Sequence, residues 1–533
     1  MEKYLYLASN LYPELLVSIA FFLTIVLIST KLKKLTPYIS VFLLFLASFH
    51  IVKNQVYTLN KPAMFLKGMF ILDNLTFIFK FLLLIVIALI ILGSIKYSNN
   101  FAHKDEFLVL ILGSTIGIMC LISSYDLISL FVALETVSLS SILLAGYSKY
   151  DSRSSEASLK YLLNSASASA IFLFGLAILY GITGQTQFNQ IKNNLLIQAN
   201  NETISLAIIT LSLILILIGL AFKLAAAPMH MWSPDVYEGS PTPVTAFLAV
   251  ASKIAGFVIT LRLIFLIFDF SQAIWQPIIC VIAILSMIIG NFVALGEVIK
   301  RASIKRLMAY SSIAQIGYVL IGIAVSTNTS VSASIFYMIA YSIVNLGAFL
   351  CIIAFGNESN SDSISDYAGL MNKRPLLALA FAVCLFNLAG LPIPPLGFIA
   401  KFILLKSAFE SGFIGIVLGM IALITTILSI YYYSYIAKLM IVDSESSTVS
   451  NLDSSSGLRP QATTLGNSRS LNAAILAIIV VVFIGTFVSH SVLNLADNAT
   501  AYTIGDSKHI NPVPVISRDL RPQAPTTKLH IFN

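Results

Sequence analysis

Apolar runs long enough to cross a bilayer recur along almost the whole of this chain, and no other feature limits its fold so strongly. A helical span takes about 20 mostly apolar residues, and that yardstick gives about fourteen spans. They fall near 11–29, 38–52, 69–93, 107–124, 126–147, 157–181, 203–227, 241–268, 274–295, 303–325, 331–355, 376–410, 412–440 and 471–492. Of the 533 residues, 58% are hydrophobic and 11% charged, against roughly 25% charged in a soluble domain. The expectation is an all-α polytopic membrane protein whose immediate surroundings are a lipid bilayer. A net charge of +8 would point to nucleic acid in a soluble chain. Here the cations sit mostly in short loops, where they set orientation, and nucleic acid is not an expected partner.

Loop charge orients the spans. Lys31, Lys33, Lys34, Lys96, Lys104, Lys149, Arg153, Lys300, Arg301, Lys305, Arg306, Lys373, Arg374, Arg459 and Arg469 fall on one side, read as the inner face. Lys53, Lys61, Lys67 and Lys192 fall on the other, so the bias is incomplete. Both termini are then expected outside. Leu11 to Ile28 has no small-residue cleavage site behind it and reads as a retained first span rather than a signal peptide. Cys120, Cys280, Cys351 and Cys384 lie far apart in apolar runs, without the spacing of a zinc or iron–sulfur site, and read as inert thiols.

Two blocks of five spans, 107–268 and 274–440, share a layout in which the fourth span is interrupted by proline and carries a lysine. These are Lys223 near Pro228, and Lys401 after Leu391-Pro-Ile-Pro-Pro395. Five is odd, so adjacent blocks must point opposite ways, the arrangement of inverted repeats whose broken helices flank a central ion path. Around them lie three spans within 1–100, a polar loop at 441–470, a last span at 471–492 and a polar tail at 493–533, with loop and tail expected to be poorly ordered. Leu458-Arg-Pro-Gln-Ala462 recurs as Leu520-Arg-Pro-Gln-Ala524 and reads as a duplicated insertion unrelated to function.

The functional candidates centre on Leu220 to Phe257, LAFKLAAAPMHMWSPDVYEGSPTPVTAFLAVASKIAGF. A lysine at bilayer depth costs at least a few kcal/mol on insertion scales, which makes Lys223 and Lys253 candidates for function. Pro228 breaks the helix and frees carbonyls that can face an ammonium group or water. Glu135, mid-way along the fifth span, has Lys223 as its obvious partner. One reading is a static ion pair that fixes packing. The other is a switch: burial disfavours a charged amine and a close carboxylate favours it, so a moving Glu135 decides whether Lys223 keeps its proton. At 4 Å and an effective dielectric of about 20, that coupling is ~4 kcal/mol. Lys253, on the next span, becomes the receiver. His230 either passes a proton between water and lysine or caps the broken end. Lys401 is either a second carrier or a snorkelling lysine.

The run FKLAAAPMHMWSPDVYEGSPTPVTAFLAVASKIAGF resembles the signature of the antiporter-like membrane subunits of respiratory complex I, the proton-pumping NADH:quinone oxidoreductase. The resemblance extends through YDLISLFVALE, IKRLMAYSSIAQIGY and AGLPIPPLGFIAKF. Within the family, Pro234-Asp-Val-Tyr-Glu-Gly239 and Ser252-Lys-Ile254 are similar to the N-type branch, called subunit 2 in organelles, rather than the L or M types. The resemblance implies that Glu135, Lys223, Lys253 and Lys401 carry protons, with His230 at the histidine position after the seventh-span lysine. It also implies neighbouring antiporter-like and small membrane subunits as partners. FMN, iron–sulfur clusters and quinone would then belong to other subunits, with no cofactor in this chain. The membrane would be a bacterial inner membrane, with the mitochondrial inner membrane as the alternative. Two rivals stand beside this reading: a cation/proton antiporter subunit, and a purely structural membrane subunit.

Lesser candidates are read as structural. Asp73 and Lys80 pair with each other or with a neighbour, Lys160 anchors its span, and Lys305 with Arg306 marks topology. Ser165, Ser167 and Ser169 provide close packing surface, and Tyr431-Tyr432-Tyr433 either lines a wet path or, the preferred reading, forms an interfacial belt.

Overall fold

The structure is a computed structural model describing residues 11–58, 62–101, 103–200, 206–359, 361–442 and 469–501. Both copies of the duplicated pentapeptide lie outside these residues. Three helices open the chain: α1 (Tyr12–Ile28), α2 (Thr36–Thr58) and α3 (Asn74–Tyr97). Next come α4 (Lys104–Ser123), α5 (Leu127–Ala145), α6 (Ser152–Thr183), a short α7 (Phe188–Asn200), α8 (Leu206–Leu224), α9 (Trp232–Gly239) and α10 (Thr242–Arg262). The second half holds α11 (Gln272–Ile299), α12 (Ile304–Val325), α13 (Asn328–Ser359), α14 (Pro375–Ala389), α15 (Leu396–Phe409), α16 (Phe413–Ile441) and α17 (Arg469–Thr500). Among the described residues twelve helices are long and apolar enough to cross a membrane, and the shorter α1 and α14 are apolar too. Each of the expected spans contains one of these helices.

The boundaries follow local chemistry that hydropathy does not register. Asp73 caps α3 by accepting from Thr76 N at 2.8 Å, and Asp126 caps α5 by accepting from Ile128 N at 2.8 Å. Such caps supply partners to amides that have none within the helix. Asp151 starts α6 five residues or so before the apolar run begins, and Gly184, at φ 64, ends it. The expected span 376–410 is two helices, because Gly390 takes φ 85 and a proline-rich turn follows before Leu396. The last helix continues past residue 492 to Thr500, so the expected tail begins later than its composition suggested.

A short hairpin, whose second strand lies within the run read as the start of the third span, and an amphipathic helix were not marked by hydropathy. β1 (Ala63–Phe65) pairs antiparallel with β2 (Phe70–Leu72), and α7 is amphipathic, with Phe188, Ile191 and Leu195 buried. Tyr125 N and Ser129 Oγ both donate to Met69 O, at 2.9 and 3.1 Å, and Gln187 Nε2 donates to Lys67 O at 2.6 Å. These contacts fold hairpin and loop over the helix ends opposite the lysine-rich loops.

Every residue of α10 is buried, and α12 and α13 are enclosed almost as fully. α12 is the least apolar of the spans. That is the expected sorting, since a helix carrying polar groups all round is tolerated in a bilayer only inside other helices. Arg262, at the end of α10, is wholly buried and grips Asp73 with both amino groups, at 2.8 and 3.0 Å. It donates further to Thr76 Oγ1 at 2.7 Å and to Ile122 O at 3.1 Å, tying α10 to α3 and α4. Lys80 instead pairs with Glu14 of α1. Asp73 and Lys80 therefore each face a neighbour and not one another. All four cysteines are free thiols. Of the three serines on α6, Ser165 is buried in packing while Ser167 is exposed.

Candidate functional site

α8 stops at Leu224 because Ala225 adopts φ 55 ahead of Pro228. A left-handed alanine costs roughly 1–2 kcal/mol, so the surroundings must hold the break open. Ser286 Oγ of α11 accepts from Ala227 N at 2.8 Å, and the Trp232 indole donates to Phe222 O at 3.2 Å. Phe222 O thus accepts from the tryptophan as well as from Ala225 N at 3.0 Å, which fastens α9 to the last turn of α8. His230 is itself buried, and its Nδ1 has no hydrogen-bond partner within bonding geometry among the described residues.

Lys223 lies on the last turn of α8 and is buried. Its Nζ donates to Ser138 Oγ of α5 at 3.4 Å, a long bond. Glu135, one turn earlier on α5, lies within Coulombic range of that ammonium but makes no ion pair with it among the described residues. Its buried Oε1 has no hydrogen-bond partner. The expected direct pair is therefore open: Ser138, on the same face of α5, occupies the position nearest the amine. Across α10, the stem of Lys223 passes Gly256, where an added Cβ would stand 3.4 Å from Lys223 Cγ. Gly256 is one turn from Lys253, so one face of α10 meets both lysines.

From Lys253 a line of buried polar groups runs into the second half. Lys253 Nζ donates to Ser312 Oγ at 2.8 Å and to Ser312 O at 3.1 Å. One turn along α12, Gln315 accepts from the Tyr337 hydroxyl and donates from Nε2 to Leu388 O at 3.1 Å. Lys401 Nζ donates to the same Leu388 O at 3.2 Å and to Ala389 O at 3.0 Å. A cavity of about 10 Å³, lined in part by Gln315, Tyr337, Tyr341 and Asn387, sits at this junction and is at the lower limit for a single water. Carbonyls left by a broken helix do face an ammonium here, at the second break. Lys401 caps the C-terminal end of α14, where the helix dipole is negative, and lies 4.7 Å from the centre of the Tyr318 ring.

Sequence reading missed most of this line, because serine, glutamine and tyrosine are common wherever helices touch. The legible signal was periodic: Ser312, Gln315 and Tyr318 recur every three residues on α12, and Tyr337, Tyr341 and Asn345 every four on α13. The tyrosine triplet also needs correction. Tyr432 and Tyr433 are fully buried, bonding Asn291 and Ser311, and only Tyr431 faces outward.

The two other candidate lysines, Lys160 and Lys305, are engaged by carboxylates. Lys160 binds Asp235 at 2.8 Å and Glu156 at 2.7 Å, and Lys305 binds Asp362 at 2.7 Å. Asp235 also accepts from Arg306 at 3.1 Å, which bridges α6 to α12 on the lysine-rich side. Among the described residues, Lys223, Lys253 and Lys401 are buried without an ion-pair partner, whereas Lys80 and Lys305 are buried with one.

Gly390 holds this geometry at the second break. Its φ of 85 suits glycine, and an added Cβ would fall 2.8 Å from Lys401 Cδ. Gly390→Ala is expected to displace Lys401 from the carbonyls of Leu388 and Ala389 while the chain still accumulates in membranes. A structure of the variant, read beside its abundance in membranes, checks this.

A bundle of membrane-spanning helices, two of them broken beside enclosed lysines, is the architecture of an antiporter-like membrane protein. Residues 124–429 match the family described as NADH:quinone oxidoreductase/Mrp antiporter, TM, and the chain belongs to that family. It is 41% identical to NAD(P)H-quinone oxidoreductase subunit 2 of Prochlorococcus marinus, over 81% of this chain and 80% of the relative. With the subunit 2 of Microcystis aeruginosa it shares 44% identity over 72% and 73% of the two chains. Among solved structures, a chain of respiratory complex I from Thermus thermophilus with bound aureothin superposes with a TM-score of 0.72 at 29% identity, covering 91% of this chain and 99% of that one. A chain of the Mrp complex from Dietzia sp. gives 0.81 at 23% identity, covering 95% and 99%, a likeness of fold.

Proposed function

We propose that this chain is the N-type, or subunit 2, antiporter-like member of an NAD(P)H:quinone oxidoreductase of the complex I type, and that it moves protons across the membrane. The observation that carries this reading is the division among its buried lysines. Lys80 and Lys305 are held by carboxylates, while Lys223, Lys253 and Lys401 meet only hydroxyls, carbonyls and a tyrosine ring. An ion pair locks a proton in place, whereas an amine surrounded by neutral acceptors exchanges its proton when a nearby charge moves. On this reading Glu135 is the moving charge, Lys223 and Lys253 the central carriers, Lys401 the terminal carrier, and His230 a relay at the first break. Residues 107–268 and 274–440 act as two inverted halves, with Lys253 handing over to the second through Ser312 and Gln315.

FMN, iron–sulfur clusters and quinone reside, in this proposal, in partner subunits, and the chain sits beside other antiporter-like and small membrane subunits. The membrane is a bacterial-type inner membrane. The test is purification of the tagged chain in mild detergent. NAD(P)H:quinone oxidoreductase activity is expected to co-elute with it. The family also includes Mrp antiporters. Sodium-dependent proton exchange by the isolated chain in liposomes, with no redox partner, would favour that second reading instead.

Gln315→Leu probes the handover. It removes the acceptor of the buried Tyr337 hydroxyl, which costs about 1–3 kcal/mol, and one of the two donors to Leu388 O, which keeps Lys401. Proton translocation in proteoliposomes is expected to fall severalfold, more than the amount of assembled enzyme does.

A further inference from the structure

We propose that the cleft between the α1–α2 turn, the end of α3 and the start of α4 is a binding site for the phosphate headgroup of an anionic phospholipid of the inner leaflet. The cleft has a volume of about 250 Å³ and is lined by Lys33, Lys34 and Lys104, with Asp105 as its one acidic neighbour. Lys33 and Lys34 have no ion-pair partner among the described residues, and Lys104 donates only to Asn99 Oδ1, at 3.3 Å. Three ammonium groups gathered into one cleft repel each other unless an anion sits among them, and a basic pocket between membrane helices at the headgroup level meets a phosphodiester first. Thr36, Ser94 and Ser98 are already bonded to backbone carbonyls within their own turns, so the lysines are the groups left to receive a ligand.

The floor identifies a lipid rather than a small anion. Ile91, Ile95 and Leu108 line the cleft below the lysines. From Tyr38, at its rim, an exposed aromatic stripe descends α2 through Phe42, Phe45 and Phe49, 50%, 65%, 43% and 68% exposed in that order. Positions 38, 42, 45 and 49 share one helix face, which offers acyl chains a continuous apolar track directly beneath the headgroup. Occupied this way, the cleft would fasten the N-terminal helices to α4, independently of any role in proton transfer.

The test uses the full chain, purified and placed in nanodiscs of phosphatidylglycerol mixed with phosphatidylcholine. Lipid retention is then read by native mass spectrometry. Wild-type chain is expected to retain phosphatidylglycerol over phosphatidylcholine. The variant Lys33→Gln/Lys34→Gln/Lys104→Gln is expected to lose that preference at least tenfold, given about a fivefold contribution per surface lysine. A charge-matched variant, Lys149→Gln/Lys300→Gln/Lys438→Gln, the last of these in the final turn of α16, is expected to keep it. Should the triple variant unfold more easily in pure phosphatidylcholine, Lys104→Gln alone replaces it, with an expected fivefold loss. Three outcomes overturn the proposal: equal retention of the two lipids, equal loss in the charge-matched variant, or displacement of phosphatidylglycerol by inorganic phosphate, which would make the cleft a small-anion site.

Discussion

Lys223→Ala is expected to lower proton translocation by the assembled enzyme at least about tenfold, and Lys223→Arg is expected to lower it as much. The arginine variant separates the mechanisms. Guanidinium keeps the positive charge but does not release its proton at any working pH. A lysine that merely balances Glu135 would be rescued by arginine, whereas a lysine that gives up its proton would not. The geometry favours the second outcome. Among the described residues Lys223 makes a single long hydrogen bond, to Ser138, and no ion pair with Glu135, so little holds the proton on the amine once the carboxylate moves. Translocation read with a pH-sensitive dye in proteoliposomes, normalised to assembled enzyme, decides between them.

Asp73→Ala is expected to act on the fold and not on transport. Arg262 has no exposed surface, and Asp73 answers both of its terminal amino groups. Removing one partner of a buried pair costs roughly 3–5 kcal/mol, because a charge is left uncompensated. The chain is expected to fall to a small fraction of its normal abundance in membranes. Replacing both partners, as Asp73→Leu with Arg262→Met, is expected to recover most of it, since apolar residues of similar volume often match a buried pair. An immunoblot of membranes from the two strains reads the result.

The number of spans, their rough limits and both breaks were legible in the sequence, because length in apolar residues and the position of proline are one-dimensional signals. Glu135, Lys223, Lys253 and Lys401 were legible for a related reason: ionisable residues inside apolar runs stand out wherever they point. What they touch was not legible. Nothing in the sequence distinguishes Lys80, which pairs with Glu14, from Lys401, which caps the carbonyls of Leu388 and Ala389. The difference arises only when α1 packs against α2 and α4, bringing Glu14 to Lys80, and α15 folds back on α14. Arg262 escaped notice because it sits near the end of its span, where a cation reads as a topology marker. The uncharged line through Ser312, Gln315 and Tyr337 became visible only once α12 and α13 were seen to be enclosed.

The most direct test of the central claim is the proton yield per NADH oxidised by proteoliposomes carrying Lys253→Met enzyme. Lys253 joins the two halves, and methionine fills a similar volume without a titratable group, so the change leaves the packing of α10 in place. If protons travel along the buried amines, translocation should collapse while the enzyme still assembles. An unchanged yield at normal turnover would contradict the account.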